Sequence, residues 1–229
     1  MNWKFTHELS KESFCKHEDI TLSYLIFEEE IITKETVNLE TIREVYFKKC
    51  KLNNVHFNDT FLGKVKFENC ELNNVTFSGN SWNNVYFSNC KLIDTSIFEC
   101  TINNIIIEEC LIEYSKIENT KLDNGKIDDT KLMENIHRHN KYIDILFYKC
   151  QLISENFIDT NFKNCDLKTS HFEEVKINLD DLIGSKLSLL NLLEIVNSNK
   201  IMINLNKILH IHKEVFFIYN KKGGYYELY

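Results

Sequence analysis

The chain has 229 residues, of which 43% are hydrophobic, enough to bury a core and too many for a disordered protein. It contains no Pro and no Ala, and the lack of Ala, the strongest helix former, argues against a helical bundle. The formal net charge of −7 argues against a nucleic-acid-binding protein that relies on a basic surface.

Residues 1–36 are predicted to form a cap that closes one end of the core. Apolar residues recur there only weakly at a spacing of five, at Leu22, Phe27 and Ile32. The first residues carry charges and His where a signal peptide has an apolar stretch. The sequence also lacks the run of about 18 apolar residues that a membrane-spanning helix needs. We therefore expect a cytoplasmic protein with no membrane contact.

Residues 37–187 carry a five-residue repeat. In steps of five from Ile42 to Leu187, 29 of 30 positions hold a large apolar residue, and the exception is His137. A second column of compact residues, mostly Val, Cys, Thr and Ser, lies two residues before each of these positions. A period of five fits neither a helix nor a strand. It suits a chain that turns a corner every five residues, so that four sides make a coil of about twenty residues and stacked coils bury a continuous core.

The repeat resembles the pentapeptide-repeat family, whose motif is A-[DN]-L-x-x with the central Leu or Phe inside. The ten residues from Cys70 to Gly79, CELNNVTFSG, contain two such units. The compact position is filled here by Cys, Val, Thr and Ser in place of the family's Ala, and Lys often precedes the central residue. The resemblance implies an all-β fold, a right-handed quadrilateral parallel β-helix.

Four cysteines, Cys50, Cys70, Cys90 and Cys110, are spaced by twenty and are expected to stack on one face of successive coils. A thiol ladder could bind a soft metal ion or become oxidised. Because Val and Thr occupy equivalent columns, the pattern favours Cys as a small buried hydrophobic residue. The sequence has no nucleophile elbow, phosphate loop or dinucleotide fingerprint, so we expect no enzyme activity, no metal and no cofactor.

Acidic residues concentrate between residues 92 and 130, where nine Asp or Glu outnumber three Lys. At roughly 4.8 Å per coil this is about three negative charges per coil, close to the charge density of B-DNA. Glu108 with Asp128, and Glu109 with Asp129, should stack into one acidic edge because they are twenty residues apart. A solvated polar face is the alternative. The candidate partner-binding acids are Glu108, Glu109, Glu113, Glu118, Asp123, Asp128 and Asp129.

The repeat is interrupted at His137, and Asn135 and Asn140 interrupt the compact column beside it. This predicts that the chain leaves the wall in a loop or bulge near residues 133–141. Exposed loops on rigid scaffolds often carry function, which makes His137, Arg138 and His139 further candidates for partner binding. An insertion without function is equally compatible with the pattern. No carboxylate or Cys cluster completes a metal site with the two His.

Residues 188–229 change character. The spacing of Leu189, Leu192, Leu193 and Val196 predicts a helix with one apolar face that plugs the end of the core. Strands and a β-hairpin are predicted beyond it, with His210 and His212 as polar positions of one strand.

The best-understood bacterial members of the family bind DNA gyrase or topoisomerase IV by imitating DNA. The resemblance therefore implies a non-catalytic DNA mimic that binds a type II topoisomerase, protects it from quinolones or toxins and so contributes to antibiotic resistance. It also implies a homodimer through the C-terminal region, although the hairpin predicted beyond the helix could equally block that contact. The alternative is a scaffold or immunity-type protein with another protein partner. Neither function requires direct binding of nucleic acid.

Overall fold

The computed structural model describes residues 5, 8–11, 13, 14, 21–33, 36, 37 and 39–199. Within these residues the strands form three parallel sheets, which we name sheets A, B and C. Strands pair with the strands twenty residues away, as in the register of Glu71 with Lys91. One turn of the coil therefore takes twenty residues, and the chain forms the predicted β-solenoid. None of the described helices is long and apolar enough to cross a membrane.

Sheet A provides two of the four sides of the coil, because its long strands bend at a corner in their middle. Its strands are Ser10–Lys11, Thr21–Ser23, Leu25–Glu28, Thr41–Lys48, Phe61–Glu68, Ser81–Ser88, Thr101–Glu108, Lys121–Asp128, Lys141–Tyr148 and Asn161–Lys163.

Sheets B and C each provide one further side. The strands of sheet B are Ile31–Thr33, Lys51–Asn53, Glu71–Asn73, Lys91–Ile93, Leu111–Glu113, Lys131–Met133, Gln151–Ile153 and His171–Glu173. The strands of sheet C are Thr36–Val37, His56–Asn58, Thr76–Ser78, Ser96–Phe98, Lys116–Glu118, Ile136–Arg138 and Asn156–Ile158. A 3-10 turn at Leu179–Leu182 and a helix at Leu189–Asn199 follow.

The corners of the coil explain the abundance of Asn. A residue with positive φ recurs at every fifth position through most of the solenoid, for example Asn69 at 55° and Asn74 at 52°. Asn and Asp tolerate this left-handed conformation better than other residues with side chains. Asn is accordingly the commonest corner residue, and Gly79 fills one corner with φ of 67°. The sequence pattern showed the inward columns, but it also contained this third, conformational column.

The inward columns form a continuous core. Phe47, Phe67 and Phe87 stack face to face in sheet A, with centroids 4.8 Å apart at each step and planes 5° from parallel. Phe57 and Phe77 stack in the same way in sheet C, at 5.0 Å. The stacking follows from the coil spacing, because identical residues at one position of successive coils lie one strand spacing apart. The predicted alternation of one large and one compact inward residue is confirmed.

The solenoid begins earlier than predicted. Thr21–Ser23 pairs with the strand of Thr41, and Ile31–Thr33 pairs with Lys51–Asn53. The assignment of all of residues 1–36 to a cap is therefore wrong, since the strands Thr21–Ser23, Leu25–Glu28 and Ile31–Thr33 already pair within the sheets of the solenoid. The repeat was hard to recognise there because apolar residues also occupy outward positions, such as Ile31, which is 64% exposed.

The predicted loop or bulge at residues 133–141 is also wrong. The strands Lys131–Met133, Ile136–Arg138 and Lys141–Tyr148 keep the regular register of the wall. Asn135 and Asn140 fit the compact column because their amides donate to backbone carbonyls inside the coil, 2.9 Å to Ile112 and 2.7 Å to Ile117. A short polar side chain whose hydrogen-bonding groups have partners can stay inside the coil without changing the path of the backbone.

The helix Leu189–Asn199 packs against the end of the coil. Ser188 caps it, since its Oγ accepts from the backbone N–H of Asn191 at 3.1 Å. Asn191 donates to the carbonyl of Ser170 at 2.6 Å, so a backbone group of the last coil is satisfied by the helix. Its buried face contains Leu192 and Ile195, while Leu189, Leu190 and Leu193 are exposed.

The predicted C-terminal helix is thus confirmed, and Leu192 of its predicted apolar face is buried, but Leu189 and Leu193 of that face are exposed. The strands and hairpin predicted after residue 200, with His210 and His212, lie outside the described residues. The homodimer through this region stays a prediction.

Candidate functional site

Four carboxylates form one acidic edge of the solenoid, which we define as Glu108, Glu109, Asp128 and Asp129. Glu108 and Asp128 are register partners in adjacent strands of sheet A. The N–H of Glu109 donates to the carbonyl of Asp128 at 3.0 Å, and this hydrogen bond joins the corner at Glu109 to the corresponding corner of the following coil. Glu109 and Asp129 are exposed corner residues with φ of 53° and 43°. The predicted stacking at a spacing of twenty is therefore present.

Two of the four carboxylates have side-chain partners. Lys126 forms an ion pair with Asp128, and this hydrogen bond raises the pKa of Lys126. The hydroxyl of Tyr86 donates to Glu108, and burial together with this hydrogen bond raises the pKa of Tyr86 to about 12. In the described part of the chain, no ion pair links Glu109 or Asp129 to a cation. The negative charge of the edge therefore concentrates at its two corner residues.

The remaining candidate acids lie on other sides of the coil. Glu113 is in sheet B, Glu118 in sheet C and Asp123 in the other half of the sheet A strand. Glu118 pairs with Arg138 at 3.4 Å, and Asp123 pairs with Lys121 at 2.7 Å. The seven candidate acids are thus distributed round the solenoid and partly neutralised, and they form no single acidic face.

His137 is a core residue. It is 3% exposed and stacks on Phe157 at a centroid distance of 4.3 Å. Its Nδ1 lies 2.7 Å from the hydroxyl of Tyr142, and its Nε2 lies 2.7 Å from Glu155 Oε2. The expectation that His137 contacts a partner is therefore wrong, because it has no surface to offer.

Asn135 completes this group, and we call Asn135, His137, Tyr142 and Glu155 the buried polar cluster. Asn135 Nδ2 donates to Glu155 Oε1 at 2.8 Å, while Glu155 itself is fully buried. Burial raises the pKa of Tyr142 well above its usual value, which keeps its hydroxyl protonated. Glu155 and Tyr142 were missed in the sequence, although a Glu in the compact column was a visible departure from the pattern.

Arg138 and His139 do reach the surface, where His139 occupies a corner and its Nδ1 lies 3.4 Å from Asp159 Oδ2. Arg138 and His139 come ten residues after Asp128 and Asp129 in the sequence. The coil repeats every twenty residues here, because Glu118 is the register partner of Arg138 and Glu108 that of Asp128. Ten residues are half a turn, so these two residues lie across the coil from the acidic edge. One flat partner surface cannot contact both.

The cysteine ladder lies inside the wall. Cys50, Cys70, Cys90 and Cys110 are at most 4% exposed, and the thiol of Cys50 donates to the carbonyl of Phe27 at 3.2 Å. Among the described residues, no group of three or more His, Cys, Asp or Glu could hold a metal ion. The thiols therefore act as compact core groups with weak hydrogen bonds to the backbone.

We expect two further buried thiols of the compact column, Cys100 and Cys150, to resist modification. Burial raises the pKa of Cys100 and Cys150 to about 11, which lowers the thiolate fraction at pH 8 by on the order of 100-fold relative to an ordinary thiol. In a Cys15→Ser background, a thiol-reactive dye should therefore react at least about 100-fold more slowly with Cys100 and Cys150 in the folded protein than with the same residues in denaturant, as peptide mapping would measure. A Lys91→Cys variant, whose new thiol is exposed, provides the rapidly labelled control. Labelling of Cys100 or Cys150 as fast as the thiol of this control would contradict the prediction.

The geometry defines a class of protein: a four-sided parallel β-solenoid with a five-residue repeat. The family model for pentapeptide repeats matches residues 42–79 with eight copies. The same inward columns continue from there to Leu187. The chain therefore carries pentapeptide repeats over residues 42–79 and keeps the same four-sided coil beyond them.

Solved structures with a similar course of the chain include QnrB1, a plasmid-mediated fluoroquinolone resistance protein. Its trypsin-treated form is 17% identical with a TM-score of 0.42, and the match covers 78% of this chain and 99% of that one. A second is HetL from the cyanobacterium Nostoc sp. strain PCC 7120, a pentapeptide-repeat protein involved in regulating heterocyst differentiation. It is 9% identical with a TM-score of 0.31, covering 73% of this chain and 89% of HetL. The search of curated proteins found no match. At these identities the likeness concerns the fold alone.

Proposed function

We propose that the protein is a non-catalytic binding protein that imitates a short stretch of DNA and binds a type II topoisomerase through the acidic edge. The observation that carries the proposal is the stacking of Glu108 on Asp128 and Glu109 on Asp129 at one edge of a rigid wall. Fixed carboxylates at regular spacing offer a basic DNA-binding surface a substitute for phosphates.

The spacing sets the scale of this mimicry. Two carboxylates per coil of roughly 4.8 Å give one negative group per about 2.4 Å, against about 1.7 Å in B-DNA. The edge extends over two coils, so it replaces only a few phosphates. We therefore expect the acidic edge to supply part of the binding surface, with partner contacts continuing on neighbouring exposed residues.

The test is a DNA gyrase supercoiling assay, with and without a quinolone. The parent protein should inhibit supercoiling or protect the enzyme from the drug. A variant with Glu108, Glu109, Asp128 and Asp129 changed to Lys should lose the effect, by at least about 10-fold in the concentration required, because four attractive charges become repulsive. Lys is compatible with the corner conformation, since Lys49 and Lys149 already occupy corners with φ of 55° and 54°.

A charge-matched control separates the edge from net charge. Asp94, Glu99, Glu134 and Asp144 are exposed corner residues on the other three edges, and changing them to Lys alters the total charge equally. This control should retain the activity of the parent. Equal loss in both variants would mean that bulk charge, and no particular edge, is responsible. Absence of any effect of the parent at micromolar concentration would reject gyrase as the partner.

The second candidate is a scaffold or immunity-type protein with another protein partner. The ion pairs of Asp123 with Lys121 and of Glu118 with Arg138 favour it, because they leave most of the outer surface with mixed charge. A parent protein that is folded but has no effect on gyrase or topoisomerase IV would support this candidate.

A further inference from the structure

The aromatic ladders of the core stop in the middle of the solenoid. In sheet A the column of Phe67 and Phe87 continues with Ile107 and Ile127 before Phe147 resumes it. In sheet C the column of Phe57 and Phe77 likewise continues with two Ile, at residues 97 and 117. The width of each coil is fixed by backbone pairing to its neighbours, so the wall cannot contract where smaller side chains replace the rings.

The space left by the missing rings is a cavity of about 50 Å³ on the axis of the solenoid. It lies between Trp82 and Phe87 on one side and His137 and Tyr142 on the other. The residues that surround its middle are Ile97, Ile107, Ile112, Ile117, Leu122 and Ile127.

The uncovered surface of the core is concentrated there. Ile107 and Ile112 keep 7% of their surface uncovered, whereas Phe67 and Leu72, at the equivalent positions of an aromatic-packed coil, keep none. Gly125 does not account for the gap. A Cβ built there would lie 2.7 Å from the carbonyl oxygen of Ile105, so its neighbours already fill that position.

We propose that this cavity is a binding site for one small apolar guest, of the size of a xenon atom or a diatomic gas. An engineered cavity of about 150 Å³ accepts benzene or xenon, and the space here is about a third of that volume, which favours the smaller guest. Dispersion contacts with the surrounding Ile and Leu side chains, which face empty space without a guest, supply the affinity.

Water is a poor occupant, because a buried water needs two to four polar partners. Both ring nitrogens of His137 are engaged, by Tyr142 and Glu155, each at 2.7 Å. The indole Nε1 of Trp82 has no acceptor among the described residues, but one donor is too few to hold a water. Thr95 and Ser115 also line the cavity, but their hydroxyls donate to backbone carbonyls, 3.4 Å to Leu72 and 3.1 Å to Glu113. Among the described lining residues, the cavity therefore offers mainly apolar contacts.

The site is tested with xenon as the probe. In crystals of the full chain under xenon pressure, anomalous scattering should place one xenon atom in the cavity, against the side chains of Ile107 and Ile127, and ¹²⁹Xe NMR in solution should show saturable binding. The variant Ile127→Phe, which restores the ring between Phe87 and Phe147, should abolish binding and raise the melting temperature by about 2–4 °C.

A matched control is Ile42→Phe, at an inward position that is already fully covered. It should lower the melting temperature through overpacking and leave xenon binding unchanged. Failure of the parent to bind xenon would overturn the proposal whatever the variants do. Unchanged binding in a folded Ile127→Phe variant would overturn it too, because the xenon would then occupy another place.

Discussion

Changing His137 to Phe is expected to lower the free energy of unfolding by about 3–5 kcal/mol, because two buried polar groups, the Glu155 carboxyl and the Tyr142 hydroxyl, lose their hydrogen bonds to its ring. The substitution itself fits the site, since Phe157 occupies the same column one coil further on and stacks on the His137 ring at 4.3 Å. The loss therefore measures the two hydrogen bonds of the His137 ring, while Asn135 still donates to Glu155 Oε1 at 2.8 Å. Equilibrium denaturation with urea gives the change.

A triple variant separates pairing from packing. His137→Phe, Tyr142→Phe and Glu155→Val replace the cluster with residue types already present at equivalent positions, Phe157, Phe162 and Val175. We expect it to recover the stability of the parent, or to exceed it by about 1–4 kcal/mol, because replacing buried polar partners together by apolar residues of similar shape is commonly neutral or stabilising. A triple variant less stable than His137→Phe alone would show that the cluster is needed for the register of the coils.

Truncating Phe67 to Ala should cost about 3–5 kcal/mol in unfolding free energy. Phe67 is fully buried and contacts a ring on each side, Phe47 and Phe87, both at 4.8 Å. The coil cannot contract around the lost ring because backbone pairing holds neighbouring strands at their spacing, so most of the cavity remains. Thermal and urea unfolding of the variant measure the effect.

The control is Ser88→Ala, at an outward position on the next strand of the same sheet. Its effect should stay within about 0.5 kcal/mol. A loss below about 1.5 kcal/mol for Phe67→Ala would mean that the wall adjusts more freely than a paired β-solenoid allows, which would contradict the rigid scaffold on which the proposed function depends.

The sequence by itself determined the coil. With a period of five, the large residues all face inward only if the chain turns a corner every five residues. Four such units then make one turn of twenty residues. That is why the inward positions from Ile42 to Leu187, the buried cysteines and the C-terminal helix were all recognised without coordinates. The stacking of Glu108 on Asp128 followed in the same way, because residues twenty apart occupy the same position in successive coils.

Only the tertiary structure decided what the exceptions mean. A polar residue in an inward column either pushes the chain out of the wall or stays inside with a partner, and the choice depends on side chains that are distant in sequence. His137 stays because Glu155, 18 residues away, and Tyr142 engage both ring nitrogens. The net charge of a side likewise depends on which Lys lies beside each acid, as Lys126 beside Asp128 shows. Periodicity places a residue on a side of the coil, but pairing in space determines whether its charge remains available to a partner.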